Sequence, residues 1–187
     1  MTKTFSLEQI QPLIDYGHIH FGENKVQETV DKWSKLKASS NNIKLHMIGK
    51  LQTNKVKYVV PIFDYIHSLD NLKLAEKISN EQKKNNKYLK IFIQVNIGSE
   101  PQKSGIEPEN LKSFYNQCVS VFKLNIIGLM CIPPQDNIEL YFNKMQKLNE
   151  LLQLSALSMG MSADYLKAAS HGSTFLRIGS KILGARN

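Results

Sequence analysis

The sequence lacks the features that mark exported, membrane-embedded or disulfide-stabilised proteins. No apolar run approaches the roughly 20 residues that a membrane-spanning helix needs, and residues 1–10 have neither the basic start nor the apolar middle of a signal peptide. Cys118 and Cys131, the only cysteines, form no close-spaced metal motif, so we expect free thiols rather than a disulfide framework. Together these absences favour a cytoplasmic globular protein without a membrane segment.

Arginine is also scarce, although the chain is basic. The net charge is +8, yet the only arginines are Arg177 and Arg186. The lysines are spread along the whole chain and do not interleave with aromatic residues, as they would on a surface that stacks nucleic-acid bases. We therefore expect no nucleic-acid partner, and we expect a planar guanidinium to matter in the last segment.

What the chain does have is a regular alternation of short β-branched runs and longer amphipathic stretches, which is typical of βα units around a parallel sheet. The loops are short and no low-complexity linker divides the chain, so residues 1–187 are expected to form a single domain. The predicted strands cover residues 18–22, 44–49, 65–69, 90–96, 126–132, 156–161 and 174–179. The predicted helices cover residues 26–36, 53–60, 72–83, 108–121, 138–152 and 164–169.

One further helix begins at Ser6, where Gln9 completes a capping box and Pro12 predicts a short helix. No strand precedes it, so the pattern reads as eight βα units whose opening strand is missing. Eight units close a TIM (β/α)8-type barrel, a fold that typically has about 250 residues. The register places Lys3 where the first strand would end. We expect an N-terminally truncated barrel with two exposed strand edges, monomeric unless copies associate through them.

The carboxyl ends of the strands are where parallel α/β folds gather their reactive groups. Lys3 would join that rim. The other polar and glycine residues that fall there are Glu23, Asn24, Gly49, Lys50, Asp70, Asn96, Met159, Gly160, Gly179 and Ser180.

The segment HGSTFLRIGS, residues 171–180, is the strongest local signal. Its backbone N–H groups, hydroxyls and glycine could converge on a phosphate, although a plain turn and strand explains it equally well. A lysine beside a phosphate site suits Schiff-base chemistry. Pyridoxal 5'-phosphate fits both features, since its aldehyde takes the lysine and its phosphate takes the glycine loop. A sugar-phosphate aldolase has the same parts.

Other motifs have a plainer alternative. His18 and His20 alternate on one strand and could chelate a metal, but no third ligand is evident. The methionines of residues 158–162 suit either core packing or a flexible wall against a flat ring. Lys103 could reach an anion from its glycine loop, although a charge that is simply exposed to solvent is the more ordinary interpretation.

The order of these motifs resembles the pyridoxal phosphate homeostasis protein family, whose fold is that of the alanine racemase barrel domain. The motifs are HFGENKVQE, HMIGKLQTNKVK, IHSLD, QVNIGSEPQKSGI, GLMCIPP, LSMGMSADY and GSTFLRIGSKILGAR. The resemblance implies that Lys3, in Thr-Lys-Thr, forms the internal aldimine. It also implies that Arg177 faces the pyridine nitrogen, that Asn24, Ser158 and Met159 line the ring, and that the phosphate is held by Ser173, Thr174, Gly179 and Ser180.

The resemblance further implies a carrier and regulator of pyridoxal phosphate, acting in vitamin B6 balance, rather than an enzyme. A guanidinium only donates hydrogen bonds, so Arg177 would keep the pyridine nitrogen unprotonated and weaken the ring as an electron sink. Alanine racemases add a tyrosine base from a further domain, for which we expect no room after Asn187. A truncated remnant that binds poorly, and a racemase or Schiff-base aldolase, are the alternatives. Lys3 is expected to be loosely held, and the Met1 amine to compete for the aldehyde.

Overall fold

The computed structural model describes residues 1–39 and 42–184, in which seven parallel strands form one sheet whose spatial order is the order along the chain. This confirms the predicted βα alternation, and each predicted strand overlaps an observed one. Arg186 lies outside the described residues. The strands are β1 (His20–Glu23), β2 (Lys44–Met47), β3 (Tyr65–Leu69), β4 (Lys90–Gln94), β5 (Asn125–Met130), β6 (Ala156–Met161) and β7 (Phe175–Arg177).

The predicted helices form as well, with short 3-10 turns at residues 53–55 and 108–110 ahead of two of them. One short helix after β7 was not predicted. The helices are α1 (Leu7–Asp15), α2 (Val26–Ser39), α3 (Val56–Ile62), α4 (Leu72–Asn85), α5 (Leu111–Ser120), α6 (Ile138–Leu151), α7 (Tyr165–Ser170) and α8 (Ser180–Leu183). No helix of the described ranges is long and apolar enough to cross a membrane.

Local chemistry explains where the helices begin. The Ser6 and Gln9 side chains form the expected capping box of α1, and Asn71 caps α4 by accepting from the Leu74 N–H at 2.9 Å. Asp164 precedes α7, but its carboxylate accepts from the Met161 N–H and ties the helix start back to β6.

The strands are buried on both faces because helices cover the outside and side chains fill the inside of the sheet. All five residues of β3 are buried, for example. Inside the sheet, aromatic rings form a layer in which Phe175 of β7 lies 5.2 Å from Phe92 of β4 and 5.6 Å from Tyr65 of β3, between ring centroids. This layer makes the interior a packed core rather than a pore.

The sheet is a nearly closed barrel whose remaining gap lies between β1 and β7. In the described residues β1 pairs only with β2, and β7 only with β6. A full partner strand is absent, as expected, but Met1 and Thr2 bridge the two edges: the Thr2 N–H donates to the Gly22 carbonyl at 2.9 Å, and the Met1 nitrogen donates to the Ile178 carbonyl. Beside this bridge is a cavity of about 200 Å³, lined mainly by apolar side chains.

Candidate functional site

A cavity of about 370 Å³ opens at the carboxyl ends of the strands, where the sequence analysis placed the reactive groups. It brings together residues from both ends of the chain. Three of the predicted site residues, Lys3, Asn24 and Arg177, line it together with Lys50, Asn96 and Lys103.

Lys3 is half-buried at the tip of a tight turn. The turn closes where the Phe5 N–H donates to the Thr2 carbonyl at 3.2 Å, and Thr4 within it has φ of 73°. A positive φ is unusual for a β-branched residue, and such strain persists only where the surroundings impose it. The buried Phe5 side chain is one such constraint.

A second constraint on this turn is the buried carboxylate of Glu23, at the end of β1. A single oxygen, Oε1, accepts from the Thr2 hydroxyl at 2.8 Å, from the Trp33 indole N–H at 2.9 Å and from the Lys32 ammonium at 2.6 Å. Charge-assisted hydrogen bonds of this kind are stronger than neutral ones. The carboxylate therefore fixes the residue before Lys3 against β1 and α2.

Lys32 completes the clamp from the other side. Its ammonium also donates to the carbonyls of Thr2 and Phe5, at 3.0 and 3.1 Å. The backbone on both sides of Lys3 is thus held by the Glu23 clamp, which we define as Thr2, Phe5, Glu23, Lys32 and Trp33. The expectation of a loosely held Lys3 is wrong for its backbone, because these long-range contacts replace the strand that was expected to support it.

Arg177, at the end of β7, is a buried cation that has carbonyl and hydroxyl oxygens as acceptors. Its Nη1 donates to the Ser158 carbonyl at 2.8 Å and to the Ser158 hydroxyl at 3.0 Å, and its Nη2 donates to the Cys131 carbonyl at 2.8 Å. Burial lowers its pKa, but a guanidinium remains charged at neutral pH. No carboxylate of the described residues forms an ion pair with it, so its charge favours an electron-rich ligand in the cavity.

Ser158 and Met159 lie in β6 and are fully buried. They are not among the residues that line the rim cavity. The Ser158 hydroxyl lies between the Arg177 guanidinium and the His67 ring, at 3.0 and 2.9 Å. Its position is therefore behind Arg177, where it supports the guanidinium rather than facing the opening.

The predicted phosphate residues divide between the two ends of β7. Gly179 and Ser180 follow the strand at the rim, whereas Ser173 and Thr174 precede it. The Ser173 hydroxyl donates to the Met159 carbonyl at 2.8 Å, and the Thr174 hydroxyl accepts from the Leu157 N–H at 2.8 Å. The structure therefore uses these two hydroxyls to join β7 to β6 and does not bring them to the rim.

Sequence reasoning missed Ser162, which the structure does bring to the rim. Its hydroxyl accepts from the Gly179 N–H at 3.2 Å, which joins the turn after β6 to the turn after β7. The preceding Gly160 has φ of 89°, and a Cβ there would lie 2.4 Å from the Ala168 side chain. Ser162 lies within LSMGMSADY, so its place directly after a strand was the available signal.

The cavity is electropositive. Besides Lys3 and Arg177, it is lined by Lys50 and Lys103, and none of the described residues that line it is acidic. Lys103 pairs with Glu100 at 2.5 Å on the loop after β4, and Asn96 ties that loop down by donating to the Glu100 carbonyl at 3.0 Å. The site therefore suits an anion, as four cations converge on one opening.

Gly49, after β2, lets the backbone approach Asn24 closely at the cavity wall. A Cβ at Gly49 would lie 2.4 Å from the Asn24 carbonyl oxygen, well inside van der Waals contact. Any larger residue would therefore displace Asn24 from the wall.

The histidines do not form a metal site in the described residues. The ring of His18 contacts the His20 carbonyl, at 2.7 Å from Nε2, while the His20 ring turns inward to His46 on β2, at 2.9 Å from Nδ1 to Nε2. His46 Nδ1 in turn lies 2.9 Å from His67 Nε2 on β3. His20, His46 and His67 thus form a row of hydrogen-bonded imidazoles across the barrel interior, which we call the histidine row.

Burial keeps the inner part of this row neutral. It lowers the pKa of His46 to about 3, with further lowering by the neighbouring His20, and it lowers the pKa of His67 well below its usual value. A neutral imidazole has one N–H donor and one ring-nitrogen acceptor. In such a row the nitrogen that donates in one ring determines which nitrogen accepts, and hence which one donates, in the next ring.

Comparison with known proteins agrees with the fold and identifies the family. The family model described as alanine racemase, N-terminal domain, matches residues 2–187. Among curated proteins, the pyridoxal phosphate homeostasis protein of Aquifex aeolicus is 40% identical over 195 residues, which cover 99% of this chain and 85% of that protein. The protein of that name from Haemophilus influenzae is 39% identical over 198 residues, covering 100% and 84%. The chain therefore belongs to the pyridoxal phosphate homeostasis protein family.

Solved structures give the same result. PipY of Synechococcus elongatus, solved with PLP bound, superimposes with a TM-score of 0.90 at 31% identity, covering 98% of this chain and 90% of that one. An alanine racemase of Clostridium difficile has a TM-score of 0.73 at 11% identity, covering 95% of this chain and 49% of that one, which shows a shared fold alone. The predicted barrel of the alanine racemase N-terminal type is confirmed.

Proposed function

We propose that this chain binds pyridoxal 5'-phosphate in the rim cavity through Lys3 and takes part in pyridoxal phosphate homeostasis. The observation that carries the proposal is the convergence on one electropositive cavity of a lysine with a fixed backbone and a buried guanidinium that forms no ion pair with a carboxylate of the described residues. The PLP-bound PipY structure, a relative 31% identical, supports the same ligand.

The rim cavity fits pyridoxal 5'-phosphate in size and charge. A volume of about 370 Å³ lies within the range of about 300 to 1,000 Å³ that is usual for small-molecule sites. An anionic ligand suits an opening lined by Lys50 and Lys103, and Arg177 would present a buried donor to a neutral ring nitrogen. The polar side chain of Asn24 completes the wall.

Lys3 supplies the amine. When bound, pyridoxal phosphate offers an aldehyde that condenses with a primary amine and releases water. The Glu23 clamp fixes the backbone on both sides of Lys3, so that ordering the turn costs little at the moment of binding. This favours a binding protein over a remnant that binds poorly.

We assign the phosphate to the rim after β7, where the backbone of Gly179 and Ser180 meets the Ser162 hydroxyl. We do not assign phosphate binding to Ser173 and Thr174, because their hydroxyls form hydrogen bonds with the β6 backbone at the other end of β7. Met159 is assigned a place behind the ring, within the core.

A carrier or regulatory role, rather than turnover, follows from the groups that line the cavity. In the described residues these include no tyrosine, histidine, cysteine or carboxylate, so besides Lys3 the cavity has only amines, those of Met1, Lys50 and Lys103. Arg177 would hold the ring nitrogen as an acceptor, which would make the ring a weak electron sink. A racemase that uses two bases needs more than these groups provide.

A cytoplasmic location is part of the same proposal. Cys118 and Cys131 are both free and buried, and burial raises the pKa of each thiol to about 12. Unreactive free thiols suit a reducing compartment.

The test is a titration of the purified chain with pyridoxal phosphate, followed by borohydride reduction and peptide mapping. We expect visible absorbance from the condensed amine in the wild type, with the label on Lys3, and loss of the saturable signal in Lys3→Ala. Lys25→Ala is the matched control, because Lys25 is exposed and pairs only with Glu28 in the contacts of the described residues. Equal labelling of all three proteins would remove Lys3 from the site.

The mapping must separate Lys3 from Met1. As the first residue of this chain, Met1 has an amino group whose pKa burial lowers to about 6, so part of it is unprotonated at neutral pH and able to react. A label found on Met1 in the wild type, and none on Lys3, would contradict the proposal. A label on Met1 that appears only in Lys3→Ala would agree with it.

A further inference from the structure

The environment of the Ser158 hydroxyl determines the direction of a hydrogen-bonded chain across the barrel. Two groups lie within hydrogen-bond distance of this oxygen: Arg177 Nη1 at 3.0 Å and His67 Nδ1 at 2.9 Å. A guanidinium has no acceptor, so the Ser158 oxygen must accept from Arg177. The one hydrogen of the hydroxyl then has a single acceptor among the described residues, which is His67 Nδ1.

This assignment propagates from ring to ring. If His67 Nδ1 accepts, the neutral ring carries its hydrogen on Nε2, and that N–H donates to His46 Nδ1 at 2.9 Å. His46 then carries its hydrogen on Nε2 and donates to His20 Nδ1 at 2.9 Å. His20 ends the row at the exposed edge strand, where water can accept its Nε2–H.

We propose that Arg177, through Ser158, locks all three imidazoles of the histidine row in the Nε2–H tautomer, and that the row in return positions Arg177 for a ring-nitrogen acceptor in the rim cavity. The second half of this inference rests on the proposed function. The first half concerns the protein alone.

The positioning role follows from what the row does to Ser158. By accepting the hydroxyl hydrogen, His67 turns a lone pair of the Ser158 oxygen toward Nη1 of Arg177. That contact, with the Ser158 and Cys131 carbonyls, holds the guanidinium in one plane. Arg177 itself lines the rim cavity, so a guanidinium held in this way is placed at the cavity wall. Neighbouring rings lock the row itself, since His67 stacks on Phe92 with ring centroids 4.3 Å apart.

The tautomers can be read directly by NMR of the ligand-free protein labelled with 15N at histidine. Near neutral pH we expect His20, His46 and His67 each to show a protonated Nε2 and an unprotonated Nδ1. A ring of the row in the Nδ1–H form, or a charged one, would overturn the assignment. The two histidines outside the row, His18 and His171, serve as internal references.

Two variants test whether Arg177 sets the direction. Arg177→Met removes the donor, so Ser158 can accept from His67 instead, and we expect the single tautomer of His67 and His46 to be lost. Arg177→Lys retains a cationic donor and should keep it. If Arg177→Met fails to fold, Ser158→Ala and Ser158→Thr form an equivalent pair, since threonine keeps the hydroxyl. Unchanged tautomers in Arg177→Met, or in Ser158→Ala, would overturn the proposal.

The positioning role is tested at His67, which does not line the rim cavity. His67→Leu removes the acceptor for the Ser158 hydroxyl, whereas His67→Asn offers an amide oxygen in its place. With pyridoxal phosphate added, we expect His67→Leu to bind about tenfold more weakly, as loss of one charge-assisted hydrogen bond implies, and to shift the visible band. His67→Asn should restore both.

The outcomes distinguish the two proposals. If His67→Leu keeps the wild-type band and affinity, the positioning role is refuted. If the wild type shows no saturable binding at Lys3, the proposed function fails, while the NMR assignment of the row stands or falls on its own signals.

Discussion

Mild acid should destabilise this protein through the histidine row, before its carboxylates titrate. His46 and His67 are 5% and 2% exposed, and burial holds both folded-state pKa values below the usual 6.5, to about 3 for His46. Above pH 6.5 both states of the protein have neutral rings. As the pH falls below 6.5, the two histidines bind protons in the unfolded chain but stay neutral in the folded one, so the free energy of unfolding decreases.

The size of this effect follows from linkage. Each pH unit between the two pKa values is worth about 1.4 kcal/mol per histidine, so lowering the pH from about 7 to about 5 removes about 2 kcal/mol for His46. Burial lowers the pKa of His67 as well, so His67 adds to this loss in the same direction. The His46 part alone is a substantial share of the roughly 5 to 15 kcal/mol that stabilises most domains.

The assay is urea unfolding followed by the fluorescence of Trp33, the single tryptophan and a buried one. His46→Asn should lose about 2 kcal/mol of the pH dependence between about pH 7 and about pH 5, because that ring no longer binds a proton on unfolding. The remaining dependence should persist, since burial also lowers the pKa values of His67 and of the Met1 amino group. His171→Asn, outside the row, should retain the wild-type dependence. A wild-type loss below about 1 kcal/mol over this range, or an unchanged slope in His46→Asn, would refute the reasoning.

Two further predictions concern the turn that presents Lys3. Glu23→Gln leaves Lys32 without its buried counter-charge, so we expect the free energy of unfolding to fall by about 3 kcal/mol and the labelling of Lys3 to weaken. The control is Glu28→Gln, in the exposed pair with Lys25, which should cost under about 1 kcal/mol in urea unfolding. Thr4→Gly removes the strain of a positive φ, so it should stabilise the fold by about 0.5 to 1 kcal/mol and leave the labelling of Lys3 unchanged. Thr4→Ala keeps a side chain at the strained φ and should gain less stability. A destabilised Thr4→Gly would mean that the turn is not strained.

The sequence predicts the barrel well because parallel strands buried on both faces leave uninterrupted β-branched runs. It also places Lys3 at the rim, since the count of βα units fixes the register. It does not reveal the Glu23 clamp, because that clamp joins the N-terminal turn to Glu23 and Lys32, which lie 21 to 30 positions away along the chain. Ser173 and Thr174 were predicted to bind the phosphate, but they do not reach the rim. The strand β7 is only three residues long, so in the sequence the turn before it and the turn after it look like one continuous segment, although they lie at opposite ends of the barrel.

The histidine row was within reach of sequence reasoning but was overlooked. His20, His46 and His67 stand one to a strand in three consecutive strands, each at a position that faces the interior. The metal hypothesis considered His18 and His20 because they are close in sequence. In a parallel sheet the side chains that meet come from neighbouring strands instead, so the informative spacing is the length of a βα unit.

The two anchors of the site lie on opposite sides of the gap in the barrel. Lys3 is held by β1 and α2, whereas Arg177 belongs to β7 and is held by β6. A ligand that contacts both would add a further link between the two edges that Met1 and Thr2 bridge, so binding should suppress the opening of this seam. Hydrogen exchange should therefore slow at the amides of β1 and β7 when pyridoxal phosphate is added, and at β4, opposite the gap, it should change little. At a ligand concentration about 100 times the Kd, the protection can reach about 2.7 kcal/mol. Uniform protection of all strands would mean that the ligand stabilises the fold globally, and the seam would then not be the least stable part of the barrel.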